Sequence, residues 1–535
     1  MSSIYGIFTG SHSQVCALVN DGEIVSVIEE ERITRIKAGE YYDRQADLSV
    51  EKIQQVTGLK LTDADYNVFV EPIPEVWATR KTRGKYETVS HHDAHCYGAY
   101  FTSGMDGKVM TISYDGGGES SVLKVFICEN GKMNLVLRGL MSDYGSLAHL
   151  WGFSTSSMKH YDKYGEGIWK MCKDEGKLMG MAPNGNFDKD IYNMISSCIK
   201  YDNFRFFPSG TASKTQFVAD YLYSHGYFDS LEGQQIYCYN LQKYTEDIFL
   251  KFLEDLHSKY PEYKKICLSG GLFANVKLNQ KINELPWVEE IYIMPPMGDE
   301  GLALGACIIK ANSLGEWNSP KKFENVYFGP KYSDDEVNEI SKSYNFNVED
   351  YNPSKIAKEI NQGSIIGWYQ YGSEHGPRAL GARSILVRPT DIGTHKILNQ
   401  RLHRYDTMPF APIVMEEFFE SIFENPKSKY SAEFMTICYS TKAEWIEKIP
   451  AVIQKSDKTA RPQLVRKDKL PKFWEILNEY YKISGIPVLL NTSFNSHNEP
   501  IIENPSQAFN SLEKKIIDKL VIGNYVYSNK FFSFS

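Results

Sequence analysis

KICLSGGLFANVKLNQKINELPWVEEIYIMPPMGDEGLALGACIIKAN, residues 265–312, alternates short apolar runs with amphipathic ones. KICLS reads as a strand that ends in a glycine turn, VKLNQKINEL as a helix, and EIYIMP as a second strand. The loop PMGDEG then leads into a further helix, LALGACIIKAN. Alternation of this kind predicts a mostly parallel sheet covered by helices, an α/β architecture. Upstream, Leu241, Tyr244, Ile248, Phe252 and Leu256 recur at three-to-four spacing between Gly233 and Tyr260, which predicts one long amphipathic helix. The chain opens differently: IYGIFTG and QVCALVN alternate as strands, and a turn at Asn20-Asp21-Gly22 leads into EIVSVIEE, a β-meander.

Between Asn312 and Tyr332 the pattern lapses into NSLGEWNSPKKFENVYFGPKY, rich in Pro, Gly, Asn and charge, which is how a linker reads. Two domains are therefore expected, 1–320 and 321–535, and 535 residues are too many for one core. The second domain mixes strands (IIGWYQ, PVLLNTS) with helices (DDEVNEISKSY, PSKIAKEINQ, PKFWEILNEYYKI), so it too is α/β. No internal sequence repeat or low-complexity tract is present.

Hydrophobic residues at 42% and charged residues at 24% are the proportions of a globular protein. MSSIYGIFTG lacks the basic start and apolar stretch of a signal peptide, and no run of about 18 apolar residues occurs. A cytoplasmic protein with no membrane partner is expected. The nine cysteines are scattered singly with no CxxC pair, which supports neither a disulfide framework nor a zinc ribbon. The net charge of −8 argues against a protein coated in nucleic acid. TRKTRGK at 79–85 and KTARPQLVRKDKLPK at 458–472 are basic and read either as solvated loops or as sites for an anionic ligand.

Several constellations carry chemistry. In HHDAH, His91 and His95 face the same way if the segment is helical, which brings both imidazoles within reach of one metal ion; surface or capping histidines are the plainer reading. In SYDGGGE an apolar strand delivers Asp115 into Gly116, Gly117 and Gly118, either a tight turn or a place where backbone amides meet phosphate oxygens. LSGGLFAN sets Ser269, Gly270, Gly271 and Asn275 between a strand and a helix start, where anions are favoured. Neither loop fits GxxxxGK[ST], so a Walker P-loop is excluded. Asp299 and Glu300 precede a helix, and one of them would complete an imidazole and carboxylate metal set. In EHGPRALGARSILVRP, Arg378 and Arg383 bring permanently charged forks suited to phosphate or carboxylate, and Ser384 adds a hydroxyl; a pair of surface arginines is the alternative.

The first four of these pieces, in this order, resemble the N-terminal domain of the O-carbamoyltransferase family of NodU, CmcH and TobZ type, which is related to the TsaD-like branch of the actin and sugar-kinase fold. Gly10-Ser11-His12-Ser13, IVSVIEEERITRIK and GKLMGMAP look like that family too. GPRALGARS, LNQRLHRYDTMPFAP with Asn399, Arg401 and Arg404, PVLLNTSFNSHNEPI with Asn491, Thr492, Ser493 and Asn495, and Arg461 in ARPQLV resemble its YrdC-like C-terminal domain. The resemblance covers nearly the whole chain. It departs in two places: no lysine lies between Asn399 and Met408, and SHNEP stands where many relatives have a glycine before EP.

The resemblance implies an actin/sugar-kinase-like (TsaD-like) domain followed by a YrdC-like α/β domain. It implies ATP, Mg2+ and Fe2+ or another divalent transition metal as cofactors, and carbamoyl phosphate with a hydroxyl-bearing acceptor as partners. In such a family the C-terminal domain makes carbamoyl adenylate, releasing phosphate and pyrophosphate, with Arg378, Arg383, Ser384, Arg404, Arg461, Asn491 and Ser493 in that site. The N-terminal domain then transfers the carbamoyl group, with a metal on His91, His95, Asp115 and Asp299. Nucleotide would lie against Gly116, Gly117, Gly118, Ser269, Gly270, Gly271, Asn275 and Glu300, and His12 is the preferred proton acceptor. A sugar, a natural product, or a nucleotide or nucleic-acid hydroxyl all stand as acceptors, and a homodimer is compatible. The competing readings are a threonylcarbamoyl-type tRNA-modifying enzyme, a sugar-type kinase and a non-catalytic nucleotide-binding regulator.

Overall fold

The computed structural model describes residues 2–10, 12–37, 45–143, 145–162, 165–168, 171–208, 211–404 and 410–530, without the side chains of 159–168, 208 and 211–213. Ser11, and residues 405–409 of the phrase LNQRLHRYDTMPFAP, lie outside the described residues. The chain forms two compact units, Met1–Glu30 with Ala38–Phe323, and Glu31–Lys37 with Glu324–Ser535. Among the described residues no helix is long and apolar enough to cross a membrane.

The first unit contains two five-stranded sheets of the same topology. In one, the meander Ser3–Thr9, Gln14–Asn20 and Glu23–Glu29 is antiparallel, and Tyr66–Val70 and then Glu87–Val89 continue parallel from its first strand. In the other, Val109–Gly118, Ser121–Glu129 and Lys132–Leu140 form the meander, and Lys265–Ser269 and Glu290–Ile293 are the parallel pair. This duplicated order is the actin/sugar-kinase-like arrangement. The duplication is one of topology, without a repeat in sequence.

The helices His91–Thr102 and Leu302–Ser313 pack against each other between the sheets. The first covers the second sheet and the other covers the first sheet, so the order of layers is sheet, helix, helix, sheet. Their crossing is close: a Cβ built on Gly305 would lie 2.1 Å from the carbonyl oxygen of Ala94. That contact seats the turn bearing His91 and His95. The expected long helix runs Leu231–Lys259 and buries all five of its apolar stripe residues, with the Ser230 hydroxyl accepting from Gly233 N at its start.

In the second unit eight strands form one sheet, in the order Phe346–Asp350, Tyr525–Asn529, Lys519–Ile522, Ile366–Tyr369, Arg383–Val387, Val488–Ser493, Ala411–Met415 and Gln463–Val465. Among the described residues of this sheet, only the Ile366–Lys519 and Ile413–Gln463 pairings are parallel. The mostly parallel sheet expected from strand-helix alternation is thus corrected to mixed sheets. The alternation at 265–312 is local and does yield parallel neighbours, but the hairpins elsewhere are antiparallel. One hairpin was signalled in sequence and not used: Asn130-Gly131 joins Ser121–Glu129 to Lys132–Leu140, with both residues at positive φ (53° and 76°).

Because the Gly305 contact is backbone against backbone, neither side can yield. Gly305→Val is expected to lower stability by about 1–3 kcal/mol, read as a reduced urea midpoint for unfolding of the first unit.

Candidate functional site

The helix His91–Thr102 starts where Ser90, as N-cap, accepts from Asp93 N at 3.3 Å. The segment is helical, so His91 and His95 lie one turn apart on one face. That face meets the end of the strand Val109–Gly118, which carries Asp115, and the short turn Asp299–Gly301 ahead of Leu302–Ser313. One ligand atom from each of His91, His95, Asp115 and Asp299 lies within 4.8 Å of the others. Nε2 of His95 is 3.2 Å from Oδ2 of Asp115 and 3.6 Å from Oδ1 of Asp299, and Nε2 of His91 is 3.4 Å from Oδ1 of Asp299. Neither Nε2 atom makes a hydrogen bond of proper geometry. Donors bonded at about 2.1 Å to one ion stand roughly 3.4 Å apart around a tetrahedron, so these spacings suit a shared cation better than a hydrogen bond.

The surroundings orient the cluster. His95 Nδ1 meets Ser269 Oγ at 3.0 Å, and that hydroxyl donates to the carbonyl of Met297 at 3.3 Å. Ser269 therefore accepts from Nδ1–H, which turns the Nε2 lone pair toward the carboxylates. Asp115 accepts from Gly271 N at 2.9 Å and from Gly116 N. Burial opposes the charges here, but they stabilise one another: despite desolvation, Asp115 and Asp299 hold His95 up at about 9. Both carboxylates lie below their ordinary range, burial being outweighed by His95 for Asp115 and by His91 for Asp299. His91 itself is lowered by burial. His12 approaches from the more open side, Nε2 lying 3.4 Å from Oδ2 of Asp299, and that carboxylate overcomes burial to raise it to about 10.

His92 stands apart from this face, held by Ser113 Oγ at 2.6 Å and the Ser121 carbonyl at 2.9 Å, and burial followed by its histidine neighbours lowers it to about 3. Lys124, on the strand Ser121–Glu129, was not singled out from sequence. Its buried ammonium donates to Ser90 Oγ at 2.7 Å and pairs with Asp93 at 2.8 Å and Glu119 at 3.0 Å, pinning the helix start. A lone lysine inside VLKVF was its signal.

The glycine loops serve the cluster directly. Gly116 to Gly118 extend the strand into a hairpin, and a Cβ on Gly118 would lie 2.2 Å from Cγ of His91, so the loop packs on an imidazole. Gly270 and Gly271 begin the short turn Gly271–Ala274. Asn275 caps the helix Val276–Glu284, accepting from Leu278 N at 3.0 Å, and donates to Gln242 at 2.9 Å. Glu300 sits in the Asp299–Gly301 turn. Within the basic stretch 79–85, Lys81 pairs with Asp47, whose carboxylate also accepts from Trp77 Nε1 at 3.2 Å.

In the second unit GPRALGARS is a loop whose peptide groups from Ala379 to Arg383 are held by several partners. Oε1 of buried Glu374, a residue sequence reasoning quoted without assigning a role, accepts from the amides of Leu380, Ala382 and Arg383 at 2.8, 2.8 and 2.9 Å. Tyr327 OH and Gln463 Nε2 both donate to Leu380 O, at 2.7 and 2.8 Å, and Asn491 Nδ2 donates to Ala379 O at 3.0 Å. Arg383 is buried. It stacks on Tyr369 and donates to the carbonyls of Glu503, Gln370 and Tyr371, with Nη2 left over. Ser384 accepts from Gly381 N at 3.1 Å and pairs in register with Ser493 on the neighbouring strand. Arg404 reaches Ser493 Oγ and Asn495 Oδ1, both at 3.0 Å, and Thr492 Oγ1 at 2.5 Å, and burial lowers it to about 10. Arg461 is lowered by burial as well, and its Nε is buried without a hydrogen bond. Arg378 is half-buried in the same loop.

Glu374→Ala would strand three buried amides, an expected loss of about 3 kcal/mol or more. Glu374→Gln, which keeps an acceptor oxygen, should lose less. Urea unfolding of the two variants beside the parent checks this order.

Comparison with known proteins agrees with the order of these parts. The family described as Carbamoyltransferase N-terminus matches residues 41–308, and that described as Carbamoyltransferase C-terminus matches 357–529. An uncharacterised protein of Methanocaldococcus jannaschii is 30% identical over 98% of this chain and 99% of its own length. Nodulation protein NolNO of Sinorhizobium fredii is 28% identical over 98% of this chain and 80% of its own. A 3'-hydroxymethylcephem-O-carbamoyltransferase of Amycolatopsis lactamdurans is 27% identical over 66% of this chain and 65% of its own. With both halves matched in tandem and the whole length shared with a relative, the chain belongs to the carbamoyltransferase family and is an enzyme that transfers a carbamoyl group.

Proposed function

We propose that the protein is an ATP-dependent O-carbamoyltransferase working in two steps. Carbamoyl phosphate, water and ATP give carbamoyl adenylate, phosphate and pyrophosphate in the second unit. In the first unit the acceptor hydroxyl attacks the carbamoyl carbon, AMP leaves, and the hydroxyl proton passes to a base. The observation that carries the reading is the set His91, His95, Asp115 and Asp299, buried but for a partly exposed Asp115, whose mutual spacings fit donors around one divalent transition ion.

A carbamoyl group is a weak electrophile toward an alcohol because its nitrogen donates into the carbonyl, so activation as an adenylate is required. The arginines suit that step. Arg378, Arg404 and Arg461 belong to loops of one unit, and guanidinium groups in such a place neutralise charge building on phosphoryl oxygens. Arg383 has Nε and Nη1 engaged with backbone carbonyls and stacks on Tyr369, so it acts chiefly by holding the loop.

In the first unit a bound ion would supply Lewis-acid polarisation of the carbamoyl oxygen. Ser269 keeps His95 in the tautomer that offers Nε2 to the cluster. His12 is placed to receive the acceptor's proton at Nε2, beside Asp299. The carboxylates that raise His12 are those a cation would neutralise, which returns the imidazole toward its ordinary range. The glycine turns offer backbone amides to nucleotide. The acceptor fits a small-molecule alcohol, a reading supported by the likeness to the cephem carbamoyltransferase. Lys81, spent on Asp47, weakens the case for nucleic acid.

Elemental analysis of the purified protein should find about one transition metal per chain, and His91→Ala with His95→Ala should remove it. Full metal content in the double variant would overturn the ligand set. The two steps should also separate by mutation. Arg378→Ala is expected to cut carbamoyl-phosphate-dependent exchange of pyrophosphate into ATP by about 100-fold or more, and preformed carbamoyl adenylate should restore transfer. His91→Ala should keep exchange and lose transfer even with the adenylate supplied. Equal loss of exchange in both folded variants would contradict the division of steps.

A further inference from the structure

The segment Glu31–Lys37 belongs to the second unit, although it follows directly on the strand Glu23–Glu29 of the first. It contains the ERITR part of IVSVIEEERITRIK, a motif that the two-step chemistry leaves without a role. Arg32 is 3% exposed, and its Nη2 donates to the carbonyl of Gly376 at 2.6 Å, 344 positions away along the chain. Arg35 donates through Nη1 to Ile501 O at 2.7 Å and through Nη2 to Pro500 O at 2.6 Å.

The carbonyls gripped are not arbitrary. Residue 377 is proline, so the Gly376-Pro377 peptide has no N–H and can be held only through its carbonyl. Arg32 takes that carbonyl, two residues before Arg378. Pro500 and Ile501 form the return limb of the loop whose outgoing limb bears Ser493 and Asn495. The limbs are tied by Asn495 Nδ2 to Glu499 O at 2.7 Å and by Ile502 N to Phe494 O at 2.9 Å. The next residue but one, Glu503, accepts from Arg383 Nε through its carbonyl at 3.2 Å. One seven-residue segment therefore holds GPRALGARS with one guanidinium and NTSFNSHNEPI with the other. These are the two loops that carry Arg378, Ser384, Ser493 and the partners of Arg404.

We infer that Arg32 and Arg35 are positioning residues for the adenylate-forming step, fixing the two loops of the second unit relative to each other from a segment encoded near the start of the chain. The inference rests on the two-step reading above. A guanidinium is suited to the task because its rigid fork reaches two carbonyls at once, as Arg35 does, and it stays charged when buried. Both side chains also add positive charge behind loops assigned to phosphate. Neither touches a reacting atom; they act through Arg378 and through the Ser493–Asn495 turn.

The test uses the full-length chain, with Arg32→Ala, Arg35→Ala and Arg35→Lys beside the parent. Carbamoyl-phosphate-dependent exchange of labelled pyrophosphate into ATP should fall by about tenfold or more in each alanine variant. Transfer from preformed carbamoyl adenylate should remain as in the parent. Millimolar guanidinium should restore exchange in Arg32→Ala and leave the parent unaffected, and Arg35→Lys should recover little because an ammonium lacks the fork that reaches both Pro500 and Ile501. Parental exchange in both alanine variants would overturn the inference and leave the two-step reading standing. Equal losses in both half-reactions with no response to guanidinium would also overturn it, as general destabilisation. A parent with transfer from the adenylate but no exchange would overturn the two-step reading itself, and this inference with it.

Discussion

Two carboxylates, Asp115 and Asp299, are brought into the interior of the first unit near one another, and the negative charge they carry has to be answered there. Desolvation alone would drive them to protonate. The protein instead brings His91 and His95 to them on one helical face, at separations of 3.2–3.6 Å. A proton shared with His95 is one answer and a divalent cation is a fuller one. Much of the surrounding structure serves that convergence. The close helix crossing at Gly305 seats the histidine turn, Lys124 pins its start, Gly118 gives His91 room, and Ser269 orients His95.

The second unit solves a different problem. It carries arginines on a loop, and a loop rich in cations tends to splay. Here the backbone is engaged from several sides. Glu374 accepts three amides, Tyr327, Gln463 and Asn491 supply donors to the carbonyls, and Arg383 closes the frame against Tyr369. The side chains of Arg378 and Arg404 are then carried by a rigid frame. In the proposed adenylate-forming step such a frame would not have to reorganise as charge develops.

The duplicated sheet topology explains why the side chains of the cluster come from such distant parts of the sequence. In an open α/β sheet, loops at the carboxyl ends of strands converge on one place. Asp115 sits at the end of the first strand of the second sheet, and Ser269 at the end of the strand beside it. Asp299 follows the outermost parallel strand, Glu290–Ile293. The two parallel strands in each sheet are what bring these ends side by side, and the antiparallel meander supplies the hairpin that passes His91.

The sequence by itself determined the periodic elements: the opening meander, the helix over Leu231–Lys259, the strand and helix pairs after Lys265, and the helical spacing of His91 and His95. Those properties depend on residues within a few positions of each other, where side-chain period and turn chemistry decide the outcome. It did not reveal the mixed sense of the sheets, the work of Glu374 and Lys124, or the membership of Glu31–Lys37 in the second unit. Each of these is a pairing over long separations. An arginine such as Arg32 looks in sequence like any charged residue after a strand. Only when the fold brings it to the carbonyl of Gly376, in a peptide that has no N–H to offer, does its charge acquire a specific partner. Local pattern sets which segments become strands and helices, while burial and the requirement that every interior polar group find a partner decide which of them meet.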